Sequence, residues 1–172
     1  MMRIAVTDAC IFIDLLELTM VSPFFSLNLE VHTTTDVMSE LYQEQQEILK
    51  AYQTVGKLMV HNLTSEDLLA IQAADYPKAL SQQDKSVIHL ATQLEAMLLS
   101  SDGVVRKYAQ KSAIETHGIF WVFDQLVDQR LLAKDSAISK LSQLMNGNLM
   151  YRNNTQLRRE ADLRIKRWSG SE

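Results

Sequence analysis

The chain has 172 residues, 47% of them hydrophobic, with 17 basic and 21 acidic side chains and a formal net charge of −4. That length suits one compact domain with a full core. The longest apolar runs, IFIDLLELTMV and GIFWVF, fall short of the roughly 20 residues that cross a bilayer, which argues against a spanning helix.

The N-terminus, MMRIAVTDACIF, lacks the basic, apolar and small-residue order of a signal peptide, and Cys10 is the sole cysteine. We therefore expect a soluble cytoplasmic protein with no membrane partner, no disulfide and a buried Cys10 thiol. Charge is uneven along the chain. Residues 1–150 carry 11 basic against 18 acidic side chains, a balance of −7, and residues 151–172 carry 6 against 3, a balance of +3. The expected organisation is one domain over 1–150 and a basic C-terminal helix or tail over 151–172.

RIAVTD reads as a β-strand, and CIFIDLLEL as the helix after it. Within that helix Asp14 and Glu17, three apart, read as a solvent face. LEVHTT is a second strand and opens onto DVMSELYQEQQEILKAY, a single helical stripe through Val37, Leu41, Ile48, Leu49 and Tyr52 with Asp36 as its N-cap. KLMVHNL is a third strand, followed by TSEDLLAIQAAD, where Thr64 and Asp67 have the spacing of a capping box. SQQDKSVIHLATQLEA reads as a helix with Val87, Ile88, Ala91, Leu94 and Leu98 facing inward, MLLSSD is a fourth strand, and GVVRKYAQKSAIETHG the next helix and turn.

GIFWVF reads as a fifth strand, DQLVDQRLLAKDSAISKLSQLM as one or two helices, and NGN as their stop. The tail places Leu157, Ala161, Ile165 and Trp168 at helical spacing among Arg158, Arg159, Arg164, Lys166 and Arg167. It reads as a docked helix with a charged outer face, with contact to phosphate or an acidic partner as the alternative. Strands alternating with helices imply a mostly parallel sheet in a three-layer α/β/α sandwich, with its ligand site at the carboxyl ends of the strands.

Four acids, Asp8, Glu40, Asp84 and Asp102, fall in or beside segments that want burial, at strand ends and helix starts. An ionised carboxylate taken out of water costs several kcal/mol unless it is paired, protonated or bound to metal. Carboxylate oxygens suit a hard divalent cation, so convergence of the four on one rim predicts a metal site. Taken singly, three have a plainer role: Asp84 as a first-turn acid favoured by the helix dipole, Asp102 as a helix cap, Glu40 as a solvated helix residue, while Asp8 ends a buried strand and is the least dispensable. Their common placement favours the site.

Other chemistries find less support. His32, His61, His89 and His117 lie far apart in sequence and there is no second cysteine, which leaves no zinc motif. The five glycines are isolated, so neither a phosphate-binding P-loop nor a dinucleotide fingerprint is present. A nucleophilic Cys10 would need a positioned base that the sequence does not supply.

T-D-A-C-I-F-I-D-L, T-T-x-x-M-S-E-L, Q-Q-D-K-S-V-I-H-L-A and L-L-S-S-D, in that order from about Arg3 to Phe123, resemble the PIN-domain family. The resemblance implies a parallel α/β/α sandwich and hydrolysis of RNA phosphodiester bonds with Mg²⁺ or Mn²⁺, the number of ions left open. It implies catalytic and metal-binding roles for Asp8, Glu40, Asp84 and Asp102, with Glu40 holding a metal or its water, and a supporting hydroxyl at Ser100. VapC-type toxins of the family pair with an antitoxin protein and often dimerise, so those partners are expected beside the RNA substrate. Arg106 and Lys107, just after Asp102, are candidates for a substrate phosphate, with a helix-surface role equally open.

Two departures stand out. Cys10 occupies a position where the family often has a small polar residue, and the chain runs on past the compact toxins, as in a longer subgroup with a C-terminal helical extension. Both leave room for an alternative, a catalytically inactive PIN-fold module that binds RNA or protein.

Overall fold

The computed structural model describes residues 2–170; the last two residues of the expected basic tail lie outside the described residues. Five strands, β1 (Arg3–Thr7), β2 (Leu29–Thr34), β3 (Leu58–His61), β4 (Met97–Leu99) and β5 (Thr116–His117), form one sheet in the order β3-β2-β1-β4-β5. Every pairing is parallel. Parallel strands need crossovers, and the helices that supply them cover both sheet faces in a three-layer α/β/α sandwich. That burial explains the apolar strands: Ala5, Val6, Leu98 and Leu99 are completely buried.

The chain order reverses at β1, which pairs with β2 on one side and β4 on the other. Such a switch point leaves a crevice at the carboxyl edge, because the connections leave β1 and β4 in opposite directions. Helix α1 (Ala9–Glu17) leaves β1, and α7 (Gly103–Lys111) follows β4, so both helices start at that crevice. The backbone N–H of Asp8 donates to Leu99 C=O at 3.1 Å and ties the two strand ends together.

Three expectations change. The helix predicted from Asp36 through Tyr52 is two helices, α3 (Thr35–Glu40) and α4 (Gln43–Thr54), separated where Leu41 and Tyr42 adopt extended ψ angles of 150° and 155°. The N-cap of α3 is Thr34 rather than Asp36, its hydroxyl accepting from Val37 N–H at 3.1 Å. GIFWVF is helical: it opens α8 (Ile119–Asp128), and the fifth strand is the preceding Thr116–His117. Ile119, Phe120, Val122, Phe123 and Leu126 are buried at helical spacing, a stripe that its first six residues alone do not reveal.

Past α8, the helices α9 (Lys134–Gly147), α10 (Leu149–Arg152) and α11 (Thr155–Trp168) close the chain. Tyr151, Ala161 and Trp168 enter the same hydrophobic core as the sheet. Arg164 fastens α11 to α8 through Asp124, donating from Nε at 3.0 and 3.1 Å and from Nη2 at 2.8 Å, with its guanidinium over the Phe120 ring. Among the described residues no helix is long and apolar enough to cross a membrane.

Candidate functional site

Asp8, Glu40, Asp84 and Asp102 line one cavity of about 260 Å³ at the switch point, with Ala9, Cys10, Val37, Ser81 and Gln83. Neither lysine, arginine nor histidine is among its lining residues. Three of the acids are delivered by helix starts. Asp8 caps α1, its Oδ1 accepting from Ile11 N–H at 3.2 Å. Asp102 caps α7, its Oδ1 accepting from Val104 N–H at 2.8 Å and Val105 N–H at 3.2 Å.

Asp84 is the third residue of α6 (Gln82–Gln93), in a reciprocal capping box with Ser81. Ser81 N–H donates to Asp84 Oδ2 at 2.8 Å, and Asp84 N–H to Ser81 Oγ at 3.1 Å. The plain roles and the shared cavity thus coincide: an oxygen of each aspartate satisfies a helix start, which fixes where the carboxylate stands. Glu40 reaches the same cavity from the last residue of α3.

Electrostatics within the cavity are set first by burial and then by like charge. Burial pushes the Asp8 carboxyl up to about 6, against hydrogen bonds from Cys10, Ser100 and the Ile11 backbone, and the charge of Asp84 adds to the rise. Partial shielding from water raises Glu40 as well, again with Asp84 contributing. The charge of Asp84 thus disfavours the ionised form of both neighbours, and no cationic side chain lines the cavity to offset it.

The family model described as a PIN domain, DUF3368, matches residues 4–162. The chain belongs to the PIN-domain family. Among solved structures, this PIN domain is similar to a PilT N-terminus domain protein, SSO1118, from the archaeon Sulfolobus solfataricus P2, at 16% identity and a TM-score of 0.44. That likeness covers 72% of this chain and 93% of the other. A search of curated proteins gives no match.

The cavity's donors are hard carboxylate oxygens, the chemistry that Mg²⁺ and Mn²⁺ select. Among the described residues, however, no three His, Cys, Asp or Glu side chains stand close enough to form a metal shell as they are. The PIN domain's acids thus fit a divalent cation by donor type and common cavity rather than by a closed set of ligands.

Ser100 is fully buried; its hydroxyl accepts from Asp102 N–H at 3.1 Å and also bonds Asp8, so it links the two strand-end acids. Cys10 is half-buried rather than buried, and its thiol donates to Asp8 Oδ1 at 2.9 Å. Burial and the neighbouring Asp8 charge drive the thiol's pKa far upward, which keeps it a neutral donor and unsuited to attack.

Arg106 and Lys107 do not line the acidic cavity. Lys107 is exposed on α7, whereas Arg106 enters a separate cavity on the other side of the β4–α7 turn.

Asp14 is a correction. It is 4% exposed rather than solvated, and it accepts a hydrogen bond at 3.0 Å from the hydroxyl of Tyr151 in α10. Its partner lies 137 positions away, beyond the reach of helical periodicity. Ser81 was also missed as a lining residue, although S-x-x-D at Ser81 to Asp84 is a readable capping pattern. Two of the scattered histidines meet: His32 Nδ1 and His61 Nε2 are 2.7 Å apart across β2 and β3, outside the acidic cavity.

Proposed function

We propose that this PIN domain is a ribonuclease dependent on Mg²⁺ or Mn²⁺, with Asp8, Glu40, Asp84 and Asp102 as its catalytic, metal-holding acids. The observation that carries the reading is four carboxylates around one cavity at the sheet's switch point with no cationic side chain lining it. A divalent cation held by these four acids would lower the pKa of a bound water so that hydroxide is available near neutral pH, and would offset charge on the phosphate.

The chain's own contribution is placement. Asp8 and Asp102, rooted in helix starts and joined through Ser100, give two fixed oxygen donors. Asp84, locked by Ser81, faces them, and Glu40 at the exposed rim suits a longer-range hold through water. The raised pKa of Asp8 states the same need in another form, since a cation would bring its carboxylate back to the charged form.

A purified sample should cleave RNA with Mn²⁺ or Mg²⁺ and stop when EDTA is added, and Asp8→Asn or Asp102→Asn should remove the activity. Full activity in either variant sinks the reading. We further propose that the protein works as the toxin of a toxin–antitoxin pair, with a homodimer as its assembly. Co-expression with the product of an adjoining small reading frame should silence the nuclease, and absence of such a frame would count against the toxin role alone.

A second reading has two observations of its own: the Cys10 thiol donates to Asp8 Oδ1, and no ready metal shell is formed among the described residues. A non-catalytic module that binds RNA or protein would show no heat of Mn²⁺ binding at millimolar concentration while keeping its partner.

A further inference from the structure

A second cavity, of about 240 Å³, lies between the β4–α7 turn, the start of α8 and the C-terminal helices. Its volume is just under the usual range of small-molecule sites, roughly 300–1,000 Å³, which suits one base and its phosphate better than a longer segment. Its feature without a structural explanation is Arg106. The Nε of this side chain is buried and has no hydrogen-bond partner, and no acid is paired with the guanidinium among the described residues.

A polar N–H buried without a partner is costly, and native structures rarely leave one so. The other charges of the cavity are already spent. Asp124 receives Arg164 and Arg167, each at 2.8 Å, and Glu160 stands 4.0 Å from Arg164. The unspent charge in the cavity is therefore positive.

Two further features are shaped around that charge. Gly118 precedes α8, and a Cβ built on it would stand 3.3 Å from Arg106 Nη1 and 3.6 Å from Ser101 Oγ, so a side chain there would press on the guanidinium by a few tenths of an ångström. The first turn of α8, from Ile119 to Trp121, also meets the cavity; its Ile119 N–H donates to Ser101 Oγ at 3.2 Å, and the positive end of this ten-residue helix adds to the same wall. Beside it the His117 and Trp121 rings stack at 4.4 Å with a 14° tilt, an aromatic platform of the kind that holds single-stranded bases.

The two cavities are neighbours. Ser101 lines this one and Asp102 lines the acidic one, and consecutive Cα atoms are about 3.8 Å apart. We propose that this second cavity binds one nucleotide of the RNA beside the cleaved bond, with Arg106 on its phosphate and the His117–Trp121 pair against its base. The assignment rests on the ribonuclease reading for its substrate class. It makes the C-terminal helices, which supply Tyr151 and Arg164 to the cavity wall, part of substrate recognition.

The test is titration of the full chain in EDTA with adenosine or uridine 5′-monophosphate, followed by tryptophan fluorescence, with Trp121→Phe to assign the signal. Saturable quenching that disappears in Trp121→Phe is expected. Arg106→Met, which keeps the stem's packing, should weaken binding by about tenfold or more. Gly118→Ala, which crowds the guanidinium, should weaken it in the same direction.

No nucleotide binding, equal binding in Arg106→Met, or equal affinity for inorganic phosphate and for the nucleotides would each overturn the assignment. Because metal is absent throughout, the two readings can fail separately. A chain that cleaves RNA but ignores mononucleotides loses this inference alone, and one that binds mononucleotides but never cleaves loses the ribonuclease reading.

Discussion

Asp8 and Asp14 belong to the same short helix, one as its cap and the other within it, and burial pushes both carboxyls up to about 6. By burial and titration they are near twins, yet their surroundings differ. Asp8 faces Glu40, Asp84 and Asp102 across a cavity, whereas Asp14 has the hydroxyl of Tyr151, which secures α10 against α1. A perturbed carboxyl therefore does not identify a reacting group by itself; its company does. Like charge around a cavity calls for a cation, while a hydrogen-bond donor from a distant helix is a packing device.

The largest expected contrast is in cleavage. Asp8→Asn and Asp102→Asn should each lower the metal-dependent rate by more than about 100-fold, since even groups behind a metal ligand are worth roughly 10- to 100-fold. Asp14→Asn should leave the rate within about twofold of wild type, measured on the same RNA at saturating Mn²⁺. A comparable loss in Asp14→Asn would merge the two acids into one site and break the comparison.

Stability should separate them next. Tyr151→Phe leaves the Asp14 carboxylate buried without its donor, which should cost about 1.5–3 kcal/mol near pH 7.5, the usual value of a hydrogen bond to a charged group. The cost should shrink near pH 4.5, where Asp14 is protonated in the folded state. Urea denaturation at the two pH values measures both.

The wild-type pH dependence follows from the same shift. Asp14 holds its proton up to about pH 6 when folded, against an ordinary value of 3.8. The folded state thus binds more protons between about pH 4 and 6, and this contribution to stability is lost as pH rises through that window and level above it. Asp14→Asn keeps an acceptor for Tyr151 and removes the buried charge, so it should remove Asp14's share of that fall, leaving the share of the equally shifted Asp8, and add on the order of 1–2 kcal/mol at pH 7.5.

The smallest effect belongs to Cys10. Cys10→Ser replaces the thiol that donates to Asp8 with a stronger hydroxyl donor, which favours the ionised carboxylate. The acid limb of the pH–rate profile should move to lower pH, with the plateau rate changed by no more than a few-fold. An unmoved acid limb would show that Asp8 does not govern it.

The four acids could be read in the sequence because the features that place them are local. Asp8 follows its apolar strand directly and Asp102 comes within three residues of its own, and Asp84 carries its capping partner three residues earlier. The parallel sheet also followed from alternation, since parallel pairing demands crossovers. What escaped depends on distant partners or on ambiguous periodicity. Asp14 looks like any helix acid until Tyr151 arrives from α10, and GIFWVF, apolar at nearly every position, has no period until the rest of α8 supplies one.

Neither proline nor glycine marks the α3–α4 break at Leu41 and Tyr42, so sequence punctuation offered no warning. The N-cap of α3 lay two positions before the aspartate expected there, in a run of threonines equally able to cap. Arg106 was singled out for phosphate from its place after Asp102, and only the packing of α8 and the C-terminal helices shows that it serves a neighbouring cavity.

Calorimetric titration with Mn²⁺ near pH 7.5 tests the central claim most directly. Wild type and Asp14→Asn should bind with matching affinity, and Asp8→Asn and Asp102→Asn should lose binding by at least about tenfold. Absence of binding in the wild type at millimolar Mn²⁺, or equal losses in Asp14→Asn and Asp8→Asn, would contradict the account.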